Sequence, residues 1–223
     1  MAFLSGPRLL PRQPGPARQL VVLLHGVGAD GNDLIGLAPA LAERLPQALF
    51  VAPDGPEPCD MAPFGRQWFS LRDRRPAALL AGVQASQPAL HAFLDAELAA
   101  ASLGPAQLAL VGFSQGTMLA LHAALRRAPA PAAVLGYSGA LLGAERLLAE
   151  IVSRPPVFLI HGDADEVVPV GALHAAVQAL QAAQVPVRWS VCPGLGHGID
   201  PESLEHGAAF LAAAFGDPER SRP

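Results

Sequence analysis

The sequence contains no lysine; all fifteen basic residues in its 223 are arginines. Without lysine the chain cannot form a Schiff base, anchor pyridoxal phosphate, complete a phosphate-binding loop or use a Ser–Lys dyad. The formal net charge is -4 and there is no basic tail, which argues against a dedicated nucleic-acid-binding protein. The missing lysine therefore removes several mechanisms without identifying one.

Cysteine is scarce as well. Cys59 and Cys192 are the two cysteines, too few for a disulfide framework, and they form no Cys-x-x-Cys pair. We expect two free thiols in a reducing compartment. The N-terminus lacks the basic head and apolar stretch of a secretion signal, and the apolar run at residues 20–24 is far shorter than a membrane span. We therefore expect a cytoplasmic protein with no stable membrane insertion.

Length and composition predict one domain with short flanks. Residues 1–18 are rich in proline and arginine and are expected to form a loose leader. Residues 19–216 are expected to form a single domain, because domains typically contain roughly 100–200 residues. Residues 217–223 are expected to be a short tail.

Short apolar runs alternate with amphipathic stretches along this domain. The apolar runs indicate strands buried on both faces, and the stretches between them indicate helices, the first capped by Asn32 or Asp33. About six alternations are typical of an α/β protein with three α/β/α layers and a mostly parallel central sheet. The 16 residues between Ser138 and Pro155 leave little room for a large cap domain. Strands are predicted at residues 20–24, 48–52, 108–111, 132–135, 157–160 and 187–191, and helices at about 32–45, 78–102 (bent or broken at Pro88), 114–127, 169–183 and 201–215.

A serine motif follows the strand predicted at residues 108–111. Gly112-Phe113-Ser114-Gln115-Gly116 has the pattern Gly-x-Ser-x-Gly, between a strand and a helix. Such glycines permit a tight turn that presents the serine hydroxyl above the sheet, at the positive end of the helix dipole. We interpret Ser114 as a nucleophile; a tight turn with a capping serine is the plainer alternative.

A serine nucleophile needs a base, because its free hydroxyl is a poor nucleophile at neutral pH. In open α/β sheets the active groups follow the carboxyl ends of strands. His197, in a glycine-rich loop after the last predicted strand, is the best candidate. His25 and His161 also follow strands but are more simply buried structural residues. The other histidines lie in predicted helices, and we interpret them as residues of the surface or the edge of the core. They are His91, His122, His174 and His206.

An acid is needed to fix the histidine tautomer and stabilise its charged form. Asp163 and Asp165 both follow the strand predicted at residues 157–160. We favour Asp165 as this acid and expect Asp163 to hold the loop through backbone amides. The chain order Ser114, Asp165, His197 is that of an α/β-hydrolase.

The oxyanion formed in acyl transfer needs two backbone donors. The amide of Gln115, directly after the serine, is one candidate. The loop His25-Gly26-Val27-Gly28 follows an early strand and offers the amide of Val27 as the other. This loop lacks the third glycine of a dinucleotide-binding fingerprint and the lysine of a Walker loop.

A metal site is an alternative use of the same residues. His161, Asp163 and Asp165 are close in sequence, and His25 could approach them; such ligands occur in hydrolytic metal sites. The triad already explains these residues, and no His-Glu-x-x-His motif occurs. We therefore expect neither a metal nor an organic cofactor.

Residues 53–77 contain several prolines and predict a long loop of the kind that is often functional. Its apolar side chains suggest a substrate-binding rim for short to medium acyl chains, although one or two of them could simply pack onto the sheet. Its arginines could attract an anionic part of a substrate, but a solvated charged face is the simpler explanation. The apolar residues are Met61, Phe64, Trp68 and Phe69, and the arginines are Arg66, Arg72, Arg74 and Arg75.

Five motifs together resemble the phospholipase/carboxylesterase family, which includes bacterial carboxylesterases and acyl-protein thioesterases. They occupy residues 24–30, 67–69, 112–116, 161–169 and 196–197, and the resemblance extends over residues 20–215.

This resemblance implies an α/β-hydrolase fold and hydrolysis of a small-molecule ester, thioester or lysophospholipid through an acyl-enzyme. It implies Ser114, Asp165 and His197 as the triad, with Val27 and Gln115 as the oxyanion donors. It also makes a homodimer an option. Val27 stands where the family often has leucine, and Ser70 where an acidic residue often follows the phenylalanine. The resemblance therefore does not define the substrate-facing rim.

Other functions on the same fold fit the sequence less well. A peptidase on the same fold would usually carry extra substrate-gating segments, which the sequence does not show. Dienelactone hydrolases use cysteine and dehalogenases aspartate at the position of Ser114. A non-catalytic hydrolase-like binding protein is expected to lack a triad member.

Overall fold

The computed structural model describes residues 4–216, so the start of the predicted leader and the predicted tail at residues 217–223 lie outside the described residues. Its strands are β1 (Arg8–Leu9), β2 (Gln19–Leu24), β3 (Ala48–Val51), β4 (Glu57–Pro58), β5 (Arg66–Gln67), β6 (Leu108–Phe113), β7 (Ala133–Tyr137), β8 (Val157–Gly162) and β9 (Val187–Cys192). Its helices are α1 (Gly31–Leu34), α2 (Ala38–Arg44), α3 (Pro76–Ala101), α4 (Gln115–Leu125), α5 (Leu147–Glu150), α6 (Gly171–Ala182) and α7 (Pro201–Phe215).

The central sheet has the strand order β1-β3-β2-β6-β7-β8-β9. Strand β1 is antiparallel to β3, and every other neighbouring pair in this sheet is parallel. The prediction of a mostly parallel sheet is therefore confirmed. Because parallel strands end at the same edge, the loops after β2, β6, β8 and β9 emerge on one side of the sheet.

Two hydrophobic cores cover the two faces of the sheet. Helices α3, α4 and α6 contribute to the core that contains Val22 and Leu24, and α2 and α7 to the core that contains Val21 and Leu23. Alternate residues of one strand thus enter opposite cores, because successive side chains of a strand point to opposite faces. This confirms the prediction of a strand buried on both faces.

Two of the predicted helices differ in the structure, and α5 was not predicted. The helix predicted at residues 32–45 is split into α1, a 3₁₀ turn at Ile35–Leu37, and α2. Its cap is Asp30, whose carboxylate accepts hydrogen bonds from the amides of Asn32 and Asp33, so neither predicted residue is the cap. Helix α3 runs through Pro88 without a break, because buried residues before and after the proline hold it against the core.

The prediction of a loose leader is wrong for residues 8 and 9. Arg8 and Leu9 pair with β3 at the edge of the sheet. The guanidinium of Arg8 also binds both carboxylate oxygens of Glu97, a side chain only 8% exposed, at 2.7 and 2.6 Å. Two residues are too short to show a strand period, and the partner lies far along the chain. A single domain over residues 19–216 stays a prediction, with its edge strand supplied from outside that range.

The long loop at residues 53–77 is partly ordered into a small antiparallel sheet of β4 and β5, which was not predicted. Cys59 and Cys192 are free thiols, as predicted. Among the helices of residues 4–216, none combines the length and the apolar character that crossing a membrane requires.

Candidate active site

Ser114 lies in the sharp turn between β6 and α4. Its backbone has φ 54° and ψ -115°, a region that residues other than glycine rarely adopt and that often marks a functional site. The residue is 5% exposed, and its amide donates to the carbonyl of Tyr137 at 2.9 Å. The predicted strand–turn–helix context is confirmed, since α4 begins at the next residue.

Glycine at position 116 lets α4 pack directly on β2. A side-chain carbon built there would lie 1.8 Å from the carbonyl oxygen of Leu24, closer than any real contact allows. Only glycine brings the first turn of α4 this near to the end of β2. The N-terminus of α4, with its positive dipole end, therefore lies beside the serine and close to the loop after β2.

His197 and Asp165 form the pair predicted for them. The Nδ1 atom of His197 lies 2.8 Å from Oδ2 of Asp165. The Asp165 side chain is fully buried, whereas that of His197 is 18% exposed. Because a carboxylate accepts the Nδ1 proton, Nε2 of His197 is left bare to accept a proton from elsewhere.

Every oxygen of Asp165 has a donor. Oδ1 accepts from the amides of Val167 and Val168 at 2.9 and 2.8 Å. Oδ2 accepts from His197 and lies 3.2 Å from Nε2 of His161. Burial acts to raise the pKa of Asp165, but the hydrogen bonds from His197, Val168 and Val167 outweigh it, and the pKa is lowered. The group therefore stays an anion.

His197 also packs over the turn that carries the serine. Its ring is 4.9 Å from the ring of Phe113, the residue before Ser114. Within residues 4–216, the hydroxyl of Ser114 forms no hydrogen bond to His197 or to another side chain. Such hydrogen bonds are often long without substrate and tighten when substrate binds.

The two predicted oxyanion donors flank the serine. A side-chain carbon built on Gly26 would lie 3.3 Å from Cβ of Ser114, which shows how closely the first loop approaches the serine. Neither the amide of Val27 nor that of Gln115 has an acceptor among the described residues. Two free N–H groups next to one serine are what a developing oxyanion requires.

The loop after β2 is fastened to β5. The amide of Gly28 donates to the carbonyl of Arg66 at 2.9 Å, and the amide of Arg66 donates to the carbonyl of Ala29 at 2.8 Å. A side-chain carbon on Gly65 would lie 1.9 Å from the carbonyl oxygen of Gly28. The β4–β5 hairpin therefore borders the candidate site.

The structure divides the four predicted rim residues into two pairs. Met61 and Phe64, between β4 and β5, are 50% and 73% exposed. Trp68 and Phe69 are 2% and 4% exposed and belong to the core. An exposed rim position is therefore wrong for Trp68 and Phe69, because their rings fill space between the loop, the sheet and α3.

The side chain of Gln115 connects the serine turn to this loop, a contact that the sequence analysis missed. Its Oε1 accepts from the amide of Trp68 at 2.9 Å, and its Nε2 donates to the carbonyl of Phe69 at 2.7 Å. The residue is fully buried. A buried amide needs both partners, but no sequence pattern shows where they lie.

Three of the four predicted rim arginines are already engaged within the loop. Arg66 donates to the carbonyls of Gly55 and Pro56. Arg72 binds the carbonyl of Asp60, and Arg75 pairs with Asp73. Three of the four arginines thus have partners within the protein, so their positions are explained without an anionic substrate.

The residues of the alternative metal site have other partners. Oδ1 of Asp163 accepts from the amide of Gly194 at 2.7 Å, as predicted for a loop-holding residue. Nε2 of His161 lies 2.7 Å from the carbonyl oxygen of Val168 and therefore carries a proton. No group of three potential metal ligands is arranged to hold an ion among residues 4–216.

Comparison with known proteins gives one family. A family model described as Phospholipase/Carboxylesterase matches residues 11–215. A crystal structure of esterase PE8 has a TM-score of 0.91 and 44% sequence identity, covering 95% of this chain and 99% of that one.

Two curated relatives match over most of their length. The esterase YpfH of Escherichia coli is 31% identical over 191 residues, which are 85% of this chain and 80% of that protein. Acyl-protein thioesterase 1 of Saccharomyces cerevisiae is 30% identical over 212 residues, covering 88% of this chain and 92% of that protein.

Proposed function

The chain belongs to the phospholipase/carboxylesterase family, and from that membership we propose that Ser114 is the nucleophile through which it cleaves its substrates. The chain is an α/β-hydrolase of the carboxylesterase or thioesterase type and acts on small-molecule esters or thioesters. What is proposed is the set of residues that carry the reaction and the kind of acyl group that it prefers.

The reaction begins at the hydroxyl of Ser114. Its Oγ attacks the carbonyl carbon while its proton passes to Nε2 of His197. Asp165 holds Nδ1–H and stabilises the imidazolium. The amides of Val27 and Gln115 bind the tetrahedral oxyanion.

The leaving alcohol or thiol then takes the proton from His197, and an acyl-enzyme remains on Ser114. Water attacks this ester with the same proton transfers, which releases the acid and restores the serine. The observation that carries the proposal is the 2.8 Å contact of His197 with the buried Asp165, beside a strained serine with two free amides next to it.

We propose short to medium acyl chains as the preferred substrates. Met61 and Phe64 expose apolar surface on the hairpin that packs against Gly28. The guanidinium groups of Arg66, Arg72 and Arg75 already bind carbonyls or carboxylates within the loop, which argues against a dedicated site for an anionic substrate group. A cytoplasmic location is proposed from the two free thiols, and a homodimer stays a prediction.

The test is hydrolysis of acyl esters, acyl thioesters and lysophospholipids by the wild-type protein and by Ser114→Ala. We expect the wild type to favour neutral short or medium esters or thioesters. The variant should lose about 10⁶-fold in kcat, because the covalent route is gone. Its thermal midpoint should stay close to that of the wild type. Undiminished hydrolysis by the variant would refute the assignment of Ser114.

A peptidase or a non-catalytic binding protein would give other results in the same assay. A peptidase would cleave peptide amides at rates comparable to esters. A binding protein would show no turnover above the alanine variant. The complete Ser–His–Asp arrangement supports catalysis, since a binding protein has no need of the strained serine turn.

A further inference from the structure

His25 is a fully buried histidine with a hydrogen bond at each ring nitrogen. Nδ1 lies 2.7 Å from the carbonyl oxygen of Gly26. Nε2 lies 2.8 Å from the amide nitrogen of Gly55, which donates to it. A carbonyl oxygen only accepts and an amide N–H only donates, so His25 is neutral with its proton on Nδ1.

This hydrogen bond acts on one particular peptide group. The carbonyl of Gly26 and the N–H of Val27 belong to the same peptide unit. A trans peptide is planar, so its C=O and N–H point in opposite directions. Holding the carbonyl against the ring of His25 therefore directs the N–H of Val27 away from that ring. The N–H remains without an acceptor among the described residues.

The ring of His25 cannot easily move. It packs against the ring of Trp68, with the centroids 5.2 Å apart. Nε1 of Trp68 donates to the carbonyl of His25 at 2.9 Å, so the backbone and the ring are both fixed. Burial lowers the pKa of His25, partly offset by the hydrogen bond to Gly26, which keeps the ring neutral and its Nε2 bare.

We propose that His25 is a positioning residue that sets the direction of the Val27 oxyanion donor through the carbonyl of Gly26. The inference rests on the proposed role of Val27 as an oxyanion donor. The Nδ1–H tautomer of His25 holds the carbonyl of Gly26. The amide of Gly55 stabilises this tautomer by donating to Nε2. From the sequence alone His25 is a buried structural residue; its contact with Gly26 adds a role in positioning the amide of Val27.

A purely structural role predicts something different. If His25 mattered only for anchoring the loop at Gly55, the acceptor Nε2 would be the important atom. The two roles use opposite ends of the ring, so two amide substitutions separate them. The amide nitrogen of asparagine can take the place of Nδ1–H, whereas the amide oxygen of glutamine can take the place of Nε2.

The experiment compares His25→Asn with His25→Gln in ester hydrolysis. We expect His25→Asn to stay within about tenfold of the wild-type kcat, because it keeps the donor to Gly26. His25→Gln should lose about 10²-fold in kcat with little change in KM, the size expected when one oxyanion donor is misdirected. The rate of labelling by a fluorophosphonate should follow the same order.

The reverse order, or equal losses in both variants at equal thermal midpoints, would overturn the proposal. If either variant fails to fold, the ring ¹⁵N shifts of wild-type His25 still test the tautomer on which the proposal depends: a protonated Nε2 would overturn it. Ser114→Ala separates this result from the wider assignment. If that variant hydrolyses esters normally, the proposed function fails before His25 is considered.

Discussion

Asp165 shows how one buried side chain fixes several others. Two backbone amides and the ring of His197 donate to it, and Nε2 of His161 lies 3.2 Å from its Oδ2. Because its pKa is lowered in the fold, the carboxylate stabilises the protein above the pKa of an unfolded aspartate. That contribution is lost as the pH falls through the folded pKa.

Replacing Asp165 by asparagine should lower activity far more than the small change in side-chain shape would suggest. If the amide oxygen faces the two valine amides, the NH₂ group faces Nδ1 of His197. The imidazole must then carry its proton on Nε2, where it can no longer accept one from Ser114. We expect kcat to fall by about 10⁴-fold, measured in steady-state ester hydrolysis.

Asp163→Asn is the matched control for this substitution. Asp163 is exposed, and within residues 4–216 its side chain accepts only from the amide of Gly194, a role that an asparagine oxygen can fill. We expect less than about a tenfold loss of kcat. Similar losses in the two variants would mean that the loop, and not the histidine tautomer, controls the rate.

The motifs predicted one contact of the candidate site that the structure contains. Ser114, Asp165 and His197 stand in the predicted order, and the last two form the expected pair; the catalytic roles of these residues stay proposals. The sequence did not predict the side chains that connect distant segments through hydrogen bonds. The contacts of Gln115 with Trp68 and of His25 with Gly55 join residues that are far apart in sequence, and no local pattern records them.

At the scale of elements, α4 is unusual because every one of its eleven residues is buried. One of them is His122, which is fully buried and whose ring nitrogens have no hydrogen-bond partner among the described residues. Burial, followed by the charge of Arg126, lowers the pKa of His122 to about 4. The helix therefore holds a neutral imidazole that the unfolded chain would protonate below about pH 6.5.

This histidine should make the fold sensitive to acid. Between about pH 6.5 and pH 4 the unfolded state binds more protons at this site than the folded state, so stability falls as the pH falls. His122→Leu should raise the free energy of unfolding by about 1–3 kcal/mol, because it removes an unsatisfied buried polar group. The gain should be larger at pH 5 than at pH 7 in urea unfolding.

His174→Gln, at an exposed position on α6, is the control and should leave the pH dependence as it is. A gain from His122→Leu that is the same at both pH values would mean that the buried imidazole is not what titrates. A loss of stability would mean that the ring has partners that leucine cannot replace.

The longer elements were predictable because their hydrophobic periods were clear. Strands β2, β6 and β8 appear where apolar runs predicted them, and α7 covers its predicted range. The short elements were not predictable. Strand β1 has two residues, as do β4 and β5, and each is defined by its partner instead of by a period of its own.

For the molecule as a whole, the parallel sheet is what assembles the site. The loops after β2, β6, β8 and β9 carry the proposed oxyanion donor Val27, Ser114, Asp165 and His197 in turn. The alternation of strands and helices predicted this layered architecture. The order of the strands across the sheet and the edge position of β1 depend on contacts between distant segments, which the alternation does not encode.

Catalysis through a covalent bond to Ser114 can be tested on the intact protein. The wild type is treated with a fluorophosphonate while residual ester hydrolysis is followed, and the modified peptide is then identified by mass spectrometry. The account predicts one adduct per chain, on Ser114, formed in proportion to the loss of activity and absent in Ser114→Ala. Complete inactivation with the adduct on another residue, or full activity with Ser114 quantitatively modified, would contradict it.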